Sequence, residues 1–200
     1  LDHFDPKNNV TFEMRYWMST RHYKPPSGRD PAQKAVLYVL DSGETNAEGR
    51  IVRILVPCSM TGADNWPPHL LQPFLDHGIL DILANATGGI GIVLEHRYYG
   101  KSYPPRSAIE PVSPYWDTDS LRFLNNSQAL EDSADLVGKV QLPGIDEPIS
   151  NFTVISYGGS YPGARSAHLR VLYPDLFYGA SEHTRLGKKV AVDIDAFSRP

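Results

Sequence analysis

One serine in this chain stands where its hydroxyl can act as a nucleophile. Ser160 lies in Gly158-Gly159-Ser160-Tyr161-Pro162-Gly163, after the β-type run Phe152-Thr153-Val154-Ile155-Ser156-Tyr157 and before a helix-like run over residues 164–173. Strand, sharp glycine turn and helix in that order hold a hydroxyl exposed on a strained elbow. The following backbone N–H then points at the oxyanion that develops on an attacked carbonyl. The glycines have a steric reason, because so tight a turn leaves no room for Cβ atoms where the strand passes beneath the helix. The spacing departs from G-x-S-x-G: its fifth position is Pro162 and the glycine falls one later. As a bare motif this is also what a structural turn looks like, and its place between a strand and a helix is what favours the nucleophile.

Other chemistries lack their signatures. There is no paired Cys/His spacing for a metal, no G-x-G-x-x-G after a strand and no phosphate-cradling lysine, so neither metal nor cofactor is expected. The 19 basic and 23 acidic residues are interspersed and give a net charge of −4. That leaves no basic stripe for nucleic acid and no polybasic segment for a membrane surface. No apolar run reaches the length of a membrane span, and Leu1-Asp2-His3-Phe4-Asp5 has no leader pattern, so a signal peptide, if the parent protein has one, is expected to lie upstream. The single Cys58 cannot form an internal bridge and argues slightly against an oxidising compartment. Against it stand the glycosylation acceptors Asn9, Asn85, Asn125 and Asn151, four among eight asparagines where chance gives about one. They point to the secretory pathway, with a secreted or vacuolar/lysosomal destination.

The elements that must position Ser160 are legible as periodicity. With 41% apolar residues in 200, the chain has enough for the core of one domain. Residues 11–17 alternate as a half-buried or edge strand does, and residues 35–40 and 90–94 are apolar throughout, as central parallel strands are. Residues 72–86 read as an amphipathic helix closed by Gly88-Gly89, and residues 120–137 as a longer one capped by Asp117 or Thr118. The alternation of strands and helices predicts an α/β fold, a parallel sheet whose strand ends form the site.

Several segments together resemble the S28 family of serine peptidases, which contains prolyl carboxypeptidase, dipeptidyl peptidase II and fungal secreted prolyl peptidases. They include Leu1-Asp2-His3-Phe4, Arg15-Tyr16-Trp17, Asp41-Ser42-Gly43-Glu44, Glu95-His96-Arg97-Tyr98-Tyr99-Gly100, Gln128-Ala129-Leu130, the turn at Ser160 and Tyr173-Pro174, in family order. The Asp-Ser-Gly-Glu variant resembles the fungal members most. The resemblance implies an α/β-hydrolase with a helical cap, represented by its N-terminal part through the nucleophile elbow, that cleaves peptides after proline. Ser160 matches the nucleophile and the N–H of Tyr161 one oxyanion donor. A second donor is expected from the loop around Gly43. Glu44 either holds a substrate amine or braces that loop. Glu95, His96 and Arg97 are read as a buried polar cluster behind the site, since charges at a core strand's end usually pair. The expected partner is a proline-containing peptide; the sequence does not give the oligomeric state.

On this fold the acid and the histidine follow the serine in sequence. The histidines after Ser160 are His168, two turns along the helix and expected at the surface, and His183, with Asp175, Asp193 and Asp195 as the nearby acids. These are too early for the later strands that supply a triad, so the chain is expected to end before its base. Residues 1–181 read as the peptidase part, with an atypical insert at 51–72 and a divergent tail at 182–200. Both departures are abrupt and suit translated introns or a frame change in a gene model. Two other readings share the sequence: an esterase on the same fold, and a catalytically inactive secreted glycoprotein derived from such a peptidase.

Overall fold

Apolar runs that read as central strands do lie at the centre. A computed structural model describes residues 1–25, 27, 33–47, 74–105 and 118–183. Strands β1 (Tyr16–Ser19), β2 (Ala35–Asp41), β3 (Ile90–Leu94), β4 (Phe152–Gly159) and β5 (Gly179–His183) form one sheet in the order β1-β3-β2-β4-β5. β2 pairs in parallel with β3 (Leu37 opposite Ile90) and with β4 (Ala35 opposite Phe152), and β4 with β5 (Ile155 opposite Gly179). The sheet is mixed rather than wholly parallel, because β1 joins its edge antiparallel to β3, Tyr16 opposite Leu94. The expected first strand is shifted: Arg15 pairs its backbone instead with Glu95 and the Ser102 hydroxyl, so regular pairing starts only at Tyr16.

Helices cover both faces, which is why β2 and β3 are apolar on both sides. Leu37, Val39, Ile92 and Val154 pack with Leu130, Val137 and Leu169 beneath helices α2 (Asn126–Lys139) and α3 (Tyr161–Leu172). On the other face Tyr38, Leu40 and Val93 pack with Leu75 and Leu80 of and before α1 (Ile79–Thr87). Each fully buried aliphatic side chain contributes roughly 1.5–3 kcal/mol, so this double layer holds the strand ends that carry the site.

Two helices begin later than their periodicity suggests. α1 starts at Ile79 because Gly78 is extended (φ −99, ψ −161) and residues 74–77 form turns; it ends as expected at left-handed Gly88 (φ 64), with the Gly89 N–H returning to the Ala84 carbonyl at 2.9 Å. α2 starts after Asn125, whose side chain accepts the Gln128 N–H at 3.0 Å. The residues before it are tied down by tertiary contacts instead, the Ser120 carbonyl to the Tyr98 hydroxyl and the Phe123 carbonyl to Arg97. Residues 51–72 and 184–200, and with them Cys58, Asp193 and Asp195, lie outside the described residues.

Candidate active site

β4 delivers Ser160 to the C-terminal edge of the sheet and α3 starts at the next residue. Ser160 is exposed and has φ 61 and ψ −127, one of two non-glycine residues with positive φ among those described. A side chain in that region costs of order 1–3 kcal/mol and persists only where the surroundings impose it. Here they do. A Cβ on Gly158 would overlap the Pro162 carbonyl, and one on Gly163 would stand 2.8 Å from Glu182 Cγ and 3.2 Å from the Gly158 oxygen. The displaced glycine of the motif is therefore used: Gly163 provides the close approach of helix to strand that the fifth position would otherwise supply. Ser156 and Ser166 lock the same crossing, Oγ to Oγ at 2.9 Å.

Tyr161 N–H opens α3, among the first-turn donors that have no partner within a helix and at the positive end of the helix dipole. Its half-buried side chain is held as well. The phenol donates to His96 Nε2 at 3.3 Å, His96 Nδ1–H donates to the Arg97 carbonyl at 2.8 Å, and the Arg165 guanidinium lies 5.7 Å from the Tyr161 ring centre. Burial pushes the Tyr161 phenol up, which keeps it a proton donor, and pushes His96 down, which keeps it neutral.

Glu95 and Arg97 are both fully buried and paired. Glu95 takes Arg15 Nε at 2.8 Å and Nη2 at 2.7 Å, the Ser102 hydroxyl at 2.7 Å and the N–H groups of Lys101 and Ala47. Burial alone would raise this carboxyl, but those donors hold it below its ordinary range. Arg97 grips Asp132 with Nε to Oδ2 at 2.6 Å and Nη2 to Oδ1 at 2.7 Å, and His3 adds a third bond at 2.8 Å. With both charges used in this way, the cluster braces the strand ends.

The loop after β2 brings Gly43 and Glu44 to the same edge of the sheet, since Leu40 is paired with Tyr157. Gly43 is left-handed (φ 65), and its N–H donates to Asp41 Oδ1 at 2.7 Å. Glu44 is exposed. Asp41 also receives Arg165, a buried residue that the sequence reading missed. Its signal was there: Pro162, Arg165, Ser166 and Leu169 form one buried stripe of α3, with a charge in it.

Residues 74–182 match the family described as serine carboxypeptidase S28. The chain belongs to the S28 family. It is similar to a probable extracellular serine carboxypeptidase of Arthroderma benhamiae, 36% identical over 201 residues, covering 95% of this chain and 23% of that protein. It is similar also to the lysosomal Pro-X carboxypeptidases of Homo sapiens (29% over 182 residues) and Mus musculus (30% over 183), each covering 90% of this chain and 29% of the relative. The chain thus spans less than a third of the length of these curated relatives.

Within this S28 chain two histidines, His168 and His183, follow Ser160 in sequence. His168 is exposed on α3 and meets Asn126 at 3.3 Å. His183 ends β5, its Cα opposite that of Gly159. Among the described residues, no side chain hydrogen-bonds the Ser160 hydroxyl, and no group of His, Cys, Asp and Glu is arranged to hold a metal ion. No helix among them is long and apolar enough to cross a membrane.

Proposed function

We propose that the protein carrying this chain is a serine peptidase that hydrolyses peptide bonds after proline through an acyl-enzyme on Ser160. The observation that carries the reading is the conformation of Ser160: exposed, at positive φ, between a strand and a helix too close together for a Cβ at Gly158 or Gly163. A serine hydroxyl near neutral pH needs an oriented imidazole to take its proton, and in this reading base and acid come from outside the described residues. Oγ then bonds to the substrate carbonyl carbon. The resulting oxyanion is met by the Tyr161 N–H and by a donor of the loop around Gly43, whose own N–H is held by Asp41. Collapse expels the amine and leaves the acyl-enzyme, which water hydrolyses. Preference for proline is supported by the relatives named Pro-X carboxypeptidase, and peptide substrates by all three relatives. Glu44, exposed beside this edge, either receives a substrate amine or braces the loop. The relatives' extracellular and lysosomal names, with four exposed sequon asparagines, support a glycoprotein of the secretory pathway.

The test is labelling of the full-length gene product by a fluorophosphonate, with Ser160→Ala as control, alongside hydrolysis of paired peptides that differ only in proline or alanine before the scissile bond. Labelling at Ser160 with proline-dependent cleavage is expected. Cleavage of short acyl esters but not of peptides would favour the esterase reading, and an unreactive Ser160 the non-catalytic glycoprotein.

A further inference from the structure

The loop after β2 is clamped by two buried carboxylates, and one clamp reaches into the nucleophile helix. Further along the loop, Ala47 N–H is held by Glu95 at 3.2 Å. At the near end, Asp41 accepts the Gly43 N–H on Oδ1 and Arg165 Nη1 on Oδ2. Arg165 is anchored in turn by α2, where Nη2 donates to the Ala129 carbonyl and to Ser133 Oγ, the latter at 3.2 Å. The same guanidinium faces the Tyr161 ring. One buried cation therefore fixes the positions of both the loop around Gly43 and the residue that follows the nucleophile.

We propose that Asp41 and Arg165 are positioning residues of the oxyanion site, holding the β2 loop and Tyr161 in mutual register so that donors from two separate elements converge on one oxygen. This rests on the peptidase reading above. A purely stabilising role explains the pair less well. A buried ion pair is about neutral in stability, or unfavourable, against apolar side chains of similar volume, whereas an ionic bond defines distance and direction. The precision matters because a displacement of about 1 Å in a preorganised site costs on the order of 100-fold in rate.

The experiment uses the full-length protein with active sites counted by fluorophosphonate, so that kcat refers to folded, reactive molecules only. Asp41→Asn keeps an acceptor for Gly43 and removes the charge; Arg165→Met removes the cation. Each is expected to lower kcat by roughly 100-fold with KM within a few-fold, and to weaken a peptide boronate that mimics the tetrahedral state by a similar factor. Arg165→Lys should recover part of both. The double variant Asp41→Leu/Arg165→Met guards against poor folding of the singles: it should regain thermal stability without regaining kcat. Return of kcat together with stability, or an Asp41→Asn enzyme with unchanged kcat and boronate affinity, would overturn the proposal while leaving the peptidase reading intact. A wild type that neither labels nor cleaves would overturn both.

Discussion

Tyr161 and His96 are joined by a hydrogen bond whose direction is fixed from the far side of the imidazole. Because His96 Nδ1 faces the Arg97 carbonyl, an acceptor only, it carries the proton, and Nε2 must accept from the Tyr161 phenol. Protonating His96 would place a second donor against that phenol, and burial already opposes the charge. The folded-state pKa lies below the ordinary 6.5, so the unfolded chain binds the extra proton first and stability falls as pH drops below about 6.5. His96→Gln should flatten the pH dependence of the unfolding free energy between pH 7 and 5, read from urea titrations across that range.

A separate acid limb follows from Asp132 and Glu95. Burial alone would raise both carboxyls, but Arg97 and His3 at Asp132, and Arg15 and Ser102 at Glu95, hold them below their ordinary values. Their contribution is complete above the ordinary carboxylate range and is lost as pH falls through the depressed values, below about pH 4. At neutral pH, Asp132→Ala leaves Arg97 buried without its partner and should cost about 3–5 kcal/mol in equilibrium unfolding. A loss under 1 kcal/mol would mean that water reaches Arg97.

Strain at Ser160 predicts a trade between stability and reactivity. Glycine accepts the φ of 61 that alanine does not, at some cost in unfolded-chain entropy. Ser160→Gly should therefore be more stable than Ser160→Ala by roughly 1 kcal/mol, with neither labelled by a fluorophosphonate. Equal thermal midpoints for the two variants would show that the elbow is relaxed.

Asn125 caps α2 and is also a proposed glycan acceptor, and the two can be separated. Asn9, Asn85, Asn125 and Asn151 are all exposed, and Asn125 also caps α2 through its Oδ1 while its Nδ2 faces the Arg122 carbonyl. Asn125→Gln should remove one glycan and about 1 kcal/mol of stability, whereas Ser127→Ala should remove the glycan and leave the cap. Intact mass before and after enzymatic deglycosylation, with urea unfolding of the deglycosylated proteins, checks both.

The parts of this architecture that are legible in sequence are those with a local cause. Residues 35–40 and 90–94 are apolar because both faces of their strands are covered, Gly88 because α1 must turn left-handed, and the glycines around Ser160 because strand and helix touch there. What local pattern could not give is pairing at a distance. Asp41 and Arg165 meet across 124 residues, and Arg97 finds Asp132 on a different element. The antiparallel β1 was hidden for a similar reason: the alternation of residues 11–17 gives neither direction nor register, which are set by where Glu95 and Ser102 hold Arg15.

The central pairing of β2 with β4 has a consequence for assembly. Ala35 meets Phe152 only after everything between them has been synthesised and the intervening β3 has a place beside β2. Such long-range closure is entropically late and slow. The backbone at Ser160 is held at positive φ by the crossing of β4 with α3, so its exposed hydroxyl is a product of the finished sheet. A nascent chain carries the serine well before it carries the elbow, so the nucleophile proposed here takes its shape only when the fold is closed.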